Sequence, residues 1–510
     1  MELETLTKNQ EEYKKQDLKN LVYEWLEHNI NSNCTKFRST EEQREASKKA
    51  KDIFYVILNN KKNEILQKLE GNEKEQFISL LNKKRDVYHG LTDSEEQVII
   101  SVLDKETLYP FFLGYGFLTV GAAFTKRIFR WEKIFEIAEK NGDIVQPGKS
   151  ERVVKIKIPQ DKKTIIFKKA DKKSIDELNL ENSIWMYYYF RLCTLTSESS
   201  VTYDKEQKQK YFFSFNEEQK QKYRFNLPEK IMFYQGVLKE DLAYLIWRVD
   251  SEDLLSTALN SDEGKKKELI KQYLKEVAKL DAFGPHNLIP PQAYLITKED
   301  FVERMRSAVS KKAEQSLTEK ILANYEIIAD SLSRSKVKGI IKDATLKNAT
   351  YYDSKVTCID FNRLRVAPLQ MDLSKTLILS YNDRRELLTE FIKEYNDAAE
   401  FFNKNFSNKA LFFPNFKKCK VEPERQKIDD LDEFYFVYLN FVVDYALFFL
   451  LGDEHKSSFG KLDINNTQKH NALSALEELK TAYKKMYCPQ GLKKLDYLSE
   501  MFKTDIHDLV

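Results

Sequence analysis

Three oxygen-bearing side chains share one short window of this 510-residue chain, GIIKDATLKNATYYDSKVTCIDFNRLRVAPLQMDLSKTL, from Gly339 to Leu377. Asp343 is followed five positions later by Asn348, and twelve after that by Asp360, which ends the apolar run VTCID. A carboxylate can orient an acceptor hydroxyl and take its proton. An amide oxygen and a second carboxylate suit Mg²⁺ held across nucleotide phosphates, because that cation prefers hard oxygen ligands. Phosphoryl transfer needs such a set. Lys342 and Lys347 flank Asp343 and would touch phosphate or acceptor in this chemistry; the plainer reading is that they are solvated lysines in a lysine-rich chain.

Such a constellation must be positioned by regular elements, and the chain supplies them in a definite order. Residues 1 to about 137 read as helices, with Leu18, Leu21, Val22, Trp25 and Leu26 on one face and Ser39-Thr40-Glu41-Glu42 opening a further amphipathic run. KNGDIVQPGKS, from Lys140 to Ser150, collects turn formers and marks the main boundary. The period then changes to two in RVVKIKI (152–158) and TIIFK (164–168), the pattern of a β-hairpin. A helical segment spans Ser183 to Leu192. Strand-like runs follow at KIMFYQ (230–235) and LAYLIWRV (242–249). Between the helix and these strands EQKQKY occurs twice, at 206–211 and 218–223, which suggests a local duplication in a surface loop or hairpin. After Asp250 the pattern is helical apart from the strand VTCID.

D-x-x-x-x-N, a short hairpin and an apolar strand ending in D-F resemble the catalytic and metal-binding loops of the protein-kinase-like superfamily. Only Asn362 to Met371 separate Asp360-Phe361 from Asp372, which leaves no room for a protein-kinase activation segment. A helical insertion over Asn287 to Lys336 is similar to that of the small-molecule branch, the aminoglycoside phosphotransferases and choline kinases. The resemblance covers roughly residues 138 to 455. It implies Asp343 as catalytic aspartate, Asn348 and Asp360 as metal ligands, and Asp372 as a support behind the catalytic loop. It implies Lys168 on the phosphates, with Lys169 a rival by one register step, and Glu181 as the partner of the lysine. LAYLIWRVD, with Trp247, resembles the strand and hinge that receive adenine.

The expected fold is therefore α+β and bilobal, with a small antiparallel sheet lobe over 138–250, a large helical lobe over 251–510 and an all-helical domain over 1–137. The expected cofactors are ATP and Mg²⁺, and the expected partner is a small molecule with a hydroxyl acceptor. The sequence departs from the superfamily pattern in three places: Ile341 stands where His precedes the catalytic aspartate, Asn362 replaces the glycine of D-F-G, and no G-x-G-x-x-G is present. These departures keep open a pseudokinase or nucleotide-sensing scaffold that binds a protein partner through the helical domain. Basic strands over Lys155 to Lys173 keep open an atypical kinase of protein or RNA.

Composition narrows the classes further. The 83 Lys and Arg against 80 Asp and Glu leave a net charge of +3, too balanced for a dedicated nucleic-acid binder. Five scattered cysteines without a C-x-x-C pair, and a start without a cationic and apolar leader, indicate a reduced cytoplasmic protein. Phe434 to Leu451 is apolar but carries Asn440 and Asp444, so a buried helix is expected rather than a membrane span. The six histidines show no zinc spacing, no G-x-S-x-G elbow occurs, and GDIVQPGKS has one residue too many for a P-loop.

Overall fold

The computed structural model describes residues 144–147, 153–157, 163–170, 175–197, 200–204, 209–236, 242–250, 253–286, 297–311, 313–335, 338–341, 345–359, 365–408, 422–451 and 464–504. Ahead of these it describes helix α1, Lys62–Gln67, and scattered positions from Tyr13 to Ile78, all helical except Gln16. The helical domain expected over residues 1–137 otherwise lies outside the described residues. Two compact units emerge: Met1–Leu178 with Pro228–Ser251, and Asn179–Leu227 with Glu252–Val510.

The first unit contains one antiparallel sheet. Its strands are β1 Ile144–Pro147, β2 Val153–Lys157, β3 Lys163–Ala170, β6 Glu229–Gly236 and β7 Leu242–Asp250, in the order β1-β2-β3-β7-β6. Four of the five coincide with the period-two runs of the sequence. β1 is a departure, because the turn-rich boundary segment forms an edge strand ending at Pro147, a position where a missing backbone donor is tolerated. In β3, Ile166, Lys168 and Ala170 are buried, as alternate residues on one face of a strand must be.

The second unit is predominantly helical and begins within helix α2, Ile175–Thr196. Trp185, Tyr187 and Tyr188 are fully buried, which makes this aromatic stretch a helix core. Tyr188 donates its hydroxyl to the Leu280 carbonyl over 2.8 Å, and Arg191 donates to the Tyr187 hydroxyl over 2.9 Å.

The repeated hexapeptide meets two fates. The end of its first copy lies in β5, Gln209–Phe213, paired with β4, Ser200–Asp204, whereas its second copy lies in helix α3, Glu217–Tyr223. Asn216 explains the difference. Its side chain and that of Gln219 cap each other's backbone amides, a capping box that nucleates a helix where the first copy has none.

Helices α4 (Leu254–Leu259), α5 (Glu263–Phe283), α6 (Lys298–Val309) and α7 (Gln315–Ser333) lead to the chemically rich window. There the sequence pattern marks one strand, VTCID, and the resemblance implies a short hairpin, and the structure has four strands: β8 Lys338–Ile341, β9 Ala349–Tyr352, β10 Lys355–Cys358 and β11 Arg365–Pro368. They form two antiparallel ribbons, β8 with β11 and β9 with β10. Four-residue strands such as KGII and RVAP are too short to display alternation, so pairing across 24 or more positions defines them.

Helices α8 (Leu369–Thr376), α9 (Arg384–Asn405), α10 (Leu431–Leu451), α11 (Ile464–Lys485) and α12 (Pro489–Lys503) complete the unit. α10 is long and apolar enough to cross a bilayer, yet 72% of its most apolar window is buried inside the protein. An extended segment ahead of it is strapped to α9: Asn403 and Asn396 each accept from and donate to one backbone residue, Arg425 and Ile428. Arg425 then donates to the carbonyls of Ala282 and Gly284, satisfying orphan acceptors at the carboxy-terminal end of α5.

Candidate active site

The β9–β10 hairpin is the central device of the candidate site. Its turn residues Asp353 and Ser354 have φ of 48° and 59°, the left-handed pair that a two-residue hairpin turn demands. Register then follows: Tyr352 faces Lys355 and Ala349 faces Cys358. One step beyond the ribbon, the Ile359 amide donates to the Asn348 carbonyl over 2.8 Å. Asn348 closes a short 3₁₀ turn, Leu346–Asn348, and donates its own amide to Thr345. The hairpin thus brings Asn348 against the residue immediately before Asp360, although the two candidates are twelve positions apart.

Packing holds the hairpin from below. Leu346, Ala349, Val356 and Cys358 are buried, and Thr350 forms an isolated bridge with Asp253 at the head of α4. Helix α5 supplies a polar platform on one face, with Tyr273 and Glu276 one turn apart. The Tyr273 hydroxyl donates to the Thr345 carbonyl over 3.3 Å. Glu276, only 6% exposed, accepts the backbone amide of Asn226, and the Asn226 side chain donates to the Val356 carbonyl over 2.9 Å. A residue from the segment after α3 therefore braces the strand that leads to Asp360.

Lys342, Asp343 and Asp360 lie outside the described residues, which resume at Thr345 on one side and end at Ile359 on the other. Their flanks are tied: Ile341, two before Asp343, pairs with Arg365, five after Asp360, in the β8–β11 ribbon. Asp372 is buried in α8, the helix that follows β11 directly and packs on β8. In the sheet unit Lys168 is buried in β3, and the backbone of Trp247 in β7 pairs with Ile166 and Lys230. Glu181 is fully buried in α2, within the helical unit.

Sequence reasoning missed Tyr273, Glu276 and Asn226. One signal existed for Glu276. It interrupts an apolar stripe with Tyr273, Val277 and Leu280, and a carboxylate on the buried side of an amphipathic helix calls for a donor. Asn226 carries no comparable mark, since its two partners lie 50 and 130 positions away.

The donor set fits a hard cation. Asn348, whose backbone is bonded to Ile359, carries an amide oxygen and Asp360 a carboxylate, and oxygen ligands of this type suit Mg²⁺. Among the described residues no group of three or more His, Cys, Asp or Glu is arranged to hold a metal.

No family model matches the chain, and no curated protein matches it. Several solved structures do resemble it. Aminoglycoside 2'-phosphotransferase-IIIa in its GDP complex is 12% identical over 72% of this chain and 98% of that one, with a TM-score of 0.38. A choline kinase from Cryptosporidium parvum is 14% identical over 71% of this chain and 98% of its own, with a TM-score of 0.38. An amicoumacin kinase in complex with AMP-PNP and Ca²⁺ is 9% identical over 68% and 93%, with a TM-score of 0.32. At such scores the likeness carries no weight by itself, and a functional reading rests on the residues of this chain.

Proposed function

We propose that the chain is a phosphotransferase that moves the γ-phosphate of ATP to a hydroxyl of a small-molecule acceptor. The observation that supports it most is the hydrogen bond from the Ile359 amide to the Asn348 carbonyl, which ties the backbone of one candidate metal ligand to the residue just before the other in sequence. In this reading Asp343 accepts a hydrogen bond from the acceptor hydroxyl, orients its oxygen toward the γ-phosphorus and takes its proton. A new O–P bond forms, the bond from the γ-phosphorus to the bridging oxygen breaks, and ADP leaves with the electron pair.

Asn348 and Asp360 would hold Mg²⁺, which when bound supplies charge neutralisation across the phosphates. The family resemblance assigns Lys168 to the phosphates, Glu181 to the lysine, Trp247 to the adenine-binding strand and Asp372 to the support of the catalytic loop, while the position of Lys342 beside Asp343 puts it within reach of phosphate or acceptor in this reading. The domain limits 1–137, 138–250 and 251–510 belong to the same proposal.

The test is a thermal shift with ATP and Mg²⁺, comparing the parent chain with Asp360→Ala, followed by turnover of Asp343→Ala on an acceptor found by screening. Stabilisation that needs both ATP and Mg²⁺, is absent in Asp360→Ala, and is retained without turnover in Asp343→Ala agrees with the proposal. Turnover by Asp343→Ala refutes the assignment of the base. The missing glycine motif and Ile341 support a second reading, a nucleotide-sensing scaffold. ATP binding by the parent chain with no transfer to any acceptor, together with capture of a protein by residues 1–137, would favour it.

A further inference from the structure

The turn between α11 and α12 carries a side chain whose conformation and exposure internal packing does not explain. Helix α11 ends in a Schellman arrangement, in which the Cys488 amide donates to the Tyr483 carbonyl over 3.2 Å and the Tyr487 amide to the Lys484 carbonyl over 3.1 Å. That motif needs a left-handed residue, a place that glycine fills by preference because it has no Cβ. Here it is Tyr487, with φ of 50°. Its side chain is 92% exposed and that of Met486 is 54% exposed, so no buried contact offsets the backbone strain.

The segment that forms the turn carries one sign of charge, and the nearby carboxylates Glu477, Asp496 and Glu326 are taken up by two of its lysines. The segment from Lys480 to Leu495 contains five lysines and not one Asp or Glu, in a chain where acidic residues number 80 of 510. Lys480 is paired with Glu477 and Asp496, and Lys494 with Glu326. Lys484, Lys485 and Lys493 are exposed or near the surface and enter no ion pair among the described residues. Lys484 and Lys485 also oppose the negative end of the α11 dipole, but Lys493, in the second turn of α12, has no such task. The turn is firmly seated: a Cβ added at Gly491 would lie 2.7 Å from Cδ1 of Ile327 and 2.8 Å from Cδ1 of Tyr483.

We propose that this turn docks reversibly on an anionic phospholipid surface, with Met486 and Tyr487 entering the headgroup region and Lys484, Lys485 and Lys493 facing the acidic lipids. A tyrosine is at home at a membrane–water interface, where its ring is half buried and its hydroxyl wet. Lysines close to an anionic leaflet add attraction that salt screens. A specific protein partner would instead need far more contact area than two protruding side chains provide. One small apolar tip with a few charges gives weak, reversible attachment rather than anchoring. The inference is independent of the phosphotransferase reading.

The test uses the full chain and sedimentation with two kinds of vesicle, phosphatidylcholine alone and an equimolar mixture with phosphatidylserine. Partition onto the anionic vesicles only, weakened by added salt, is expected. Lys484→Glu with Lys485→Glu should lower that partition by more than about tenfold. Tyr487→Gly relieves the backbone, so a variant that melts higher yet partitions less would separate the docking role from any structural one. Equal binding to both vesicles, no binding to either, or unchanged partition in Tyr487→Gly overturns the proposal. Binding to polyglutamate without binding to anionic vesicles overturns it as well, in favour of an acidic protein partner.

Discussion

The amide of Ile359 donates to the carbonyl of Asn348 over 2.8 Å, one step beyond the last strand pair of the β9–β10 hairpin. This bond converts a spacing in sequence into a proximity in space. If Asn348 contributes an oxygen to a bound cation, Asn348→Ala should lower kcat roughly a hundredfold or more and raise the Mg²⁺ concentration needed for half-maximal rate. The backbone bond survives the substitution, so the melting temperature should change little. Mg²⁺ titration of turnover, beside a melting curve, checks both halves.

Asp444 in α10 is nearly buried and accepts from Arg304 of α6 and from the Tyr325 hydroxyl of α7. The carboxylate holds the Arg304 guanidinium in its charged form despite burial, shifting its pKa further up. Removing one partner of such a group strands the other. Asp444→Ala should cost about 3–5 kcal/mol of stability, measured by urea unfolding.

Burial pushes the Tyr187 hydroxyl up to about 12, against a partial opposing pull from the Arg191 charge. The folded form thus keeps its proton while the unfolded chain loses it at about 10, so the unfolded state binds fewer protons between these values. Stability contributed by this group is complete below pH 10 and is lost as pH rises toward about 12. The loss amounts to roughly 3 kcal/mol at its limit. Urea midpoints measured from pH 8 upward should fall across that window, and Tyr187→Phe should flatten the fall.

Gly491 sits in the first turn of α12, where alanine would ordinarily help the helix by up to about 1 kcal/mol. A Cβ there would press on Ile327 and Tyr483 at 2.7 and 2.8 Å, below any ordinary contact. Overpacking of that kind costs about 1–3 kcal/mol, so it outweighs the propensity gain. Gly491→Ala should therefore lower the unfolding midpoint; a rise would show that the three helices relax apart.

Much of the frame was legible beforehand because it is written in local patterns. RVVKIKI, TIIFK, KIMFYQ and LAYLIWRV show a period of two, and each lies in a strand of the sheet. The aromatic run from Trp185 became helix core, and Phe434 to Leu451 became a largely buried helix. Less legible was the membership of α2 and the segment after it. By its contacts Asn179–Leu227 groups with Glu252–Val510. Bonds such as Tyr188 to Leu280, 92 positions apart, leave no trace in a local window.

By itself the sequence determined the spacing of Asp343, Asn348 and Asp360, the oxygen character of that set, and the strands and helices whose periodicity or capping is local. The local capping box at Asn216 sends the second EQKQKY into a helix, whereas the tertiary structure alone decided that β8 and β11 exist at all. It alone also set Tyr273, Glu276 and Asn226 beneath the hairpin. The reason is physical: turn chemistry and side-chain alternation act over a few residues, but the cost of burying a polar group is met by whichever partner the fold delivers, and those partners lie 50 to 130 positions away.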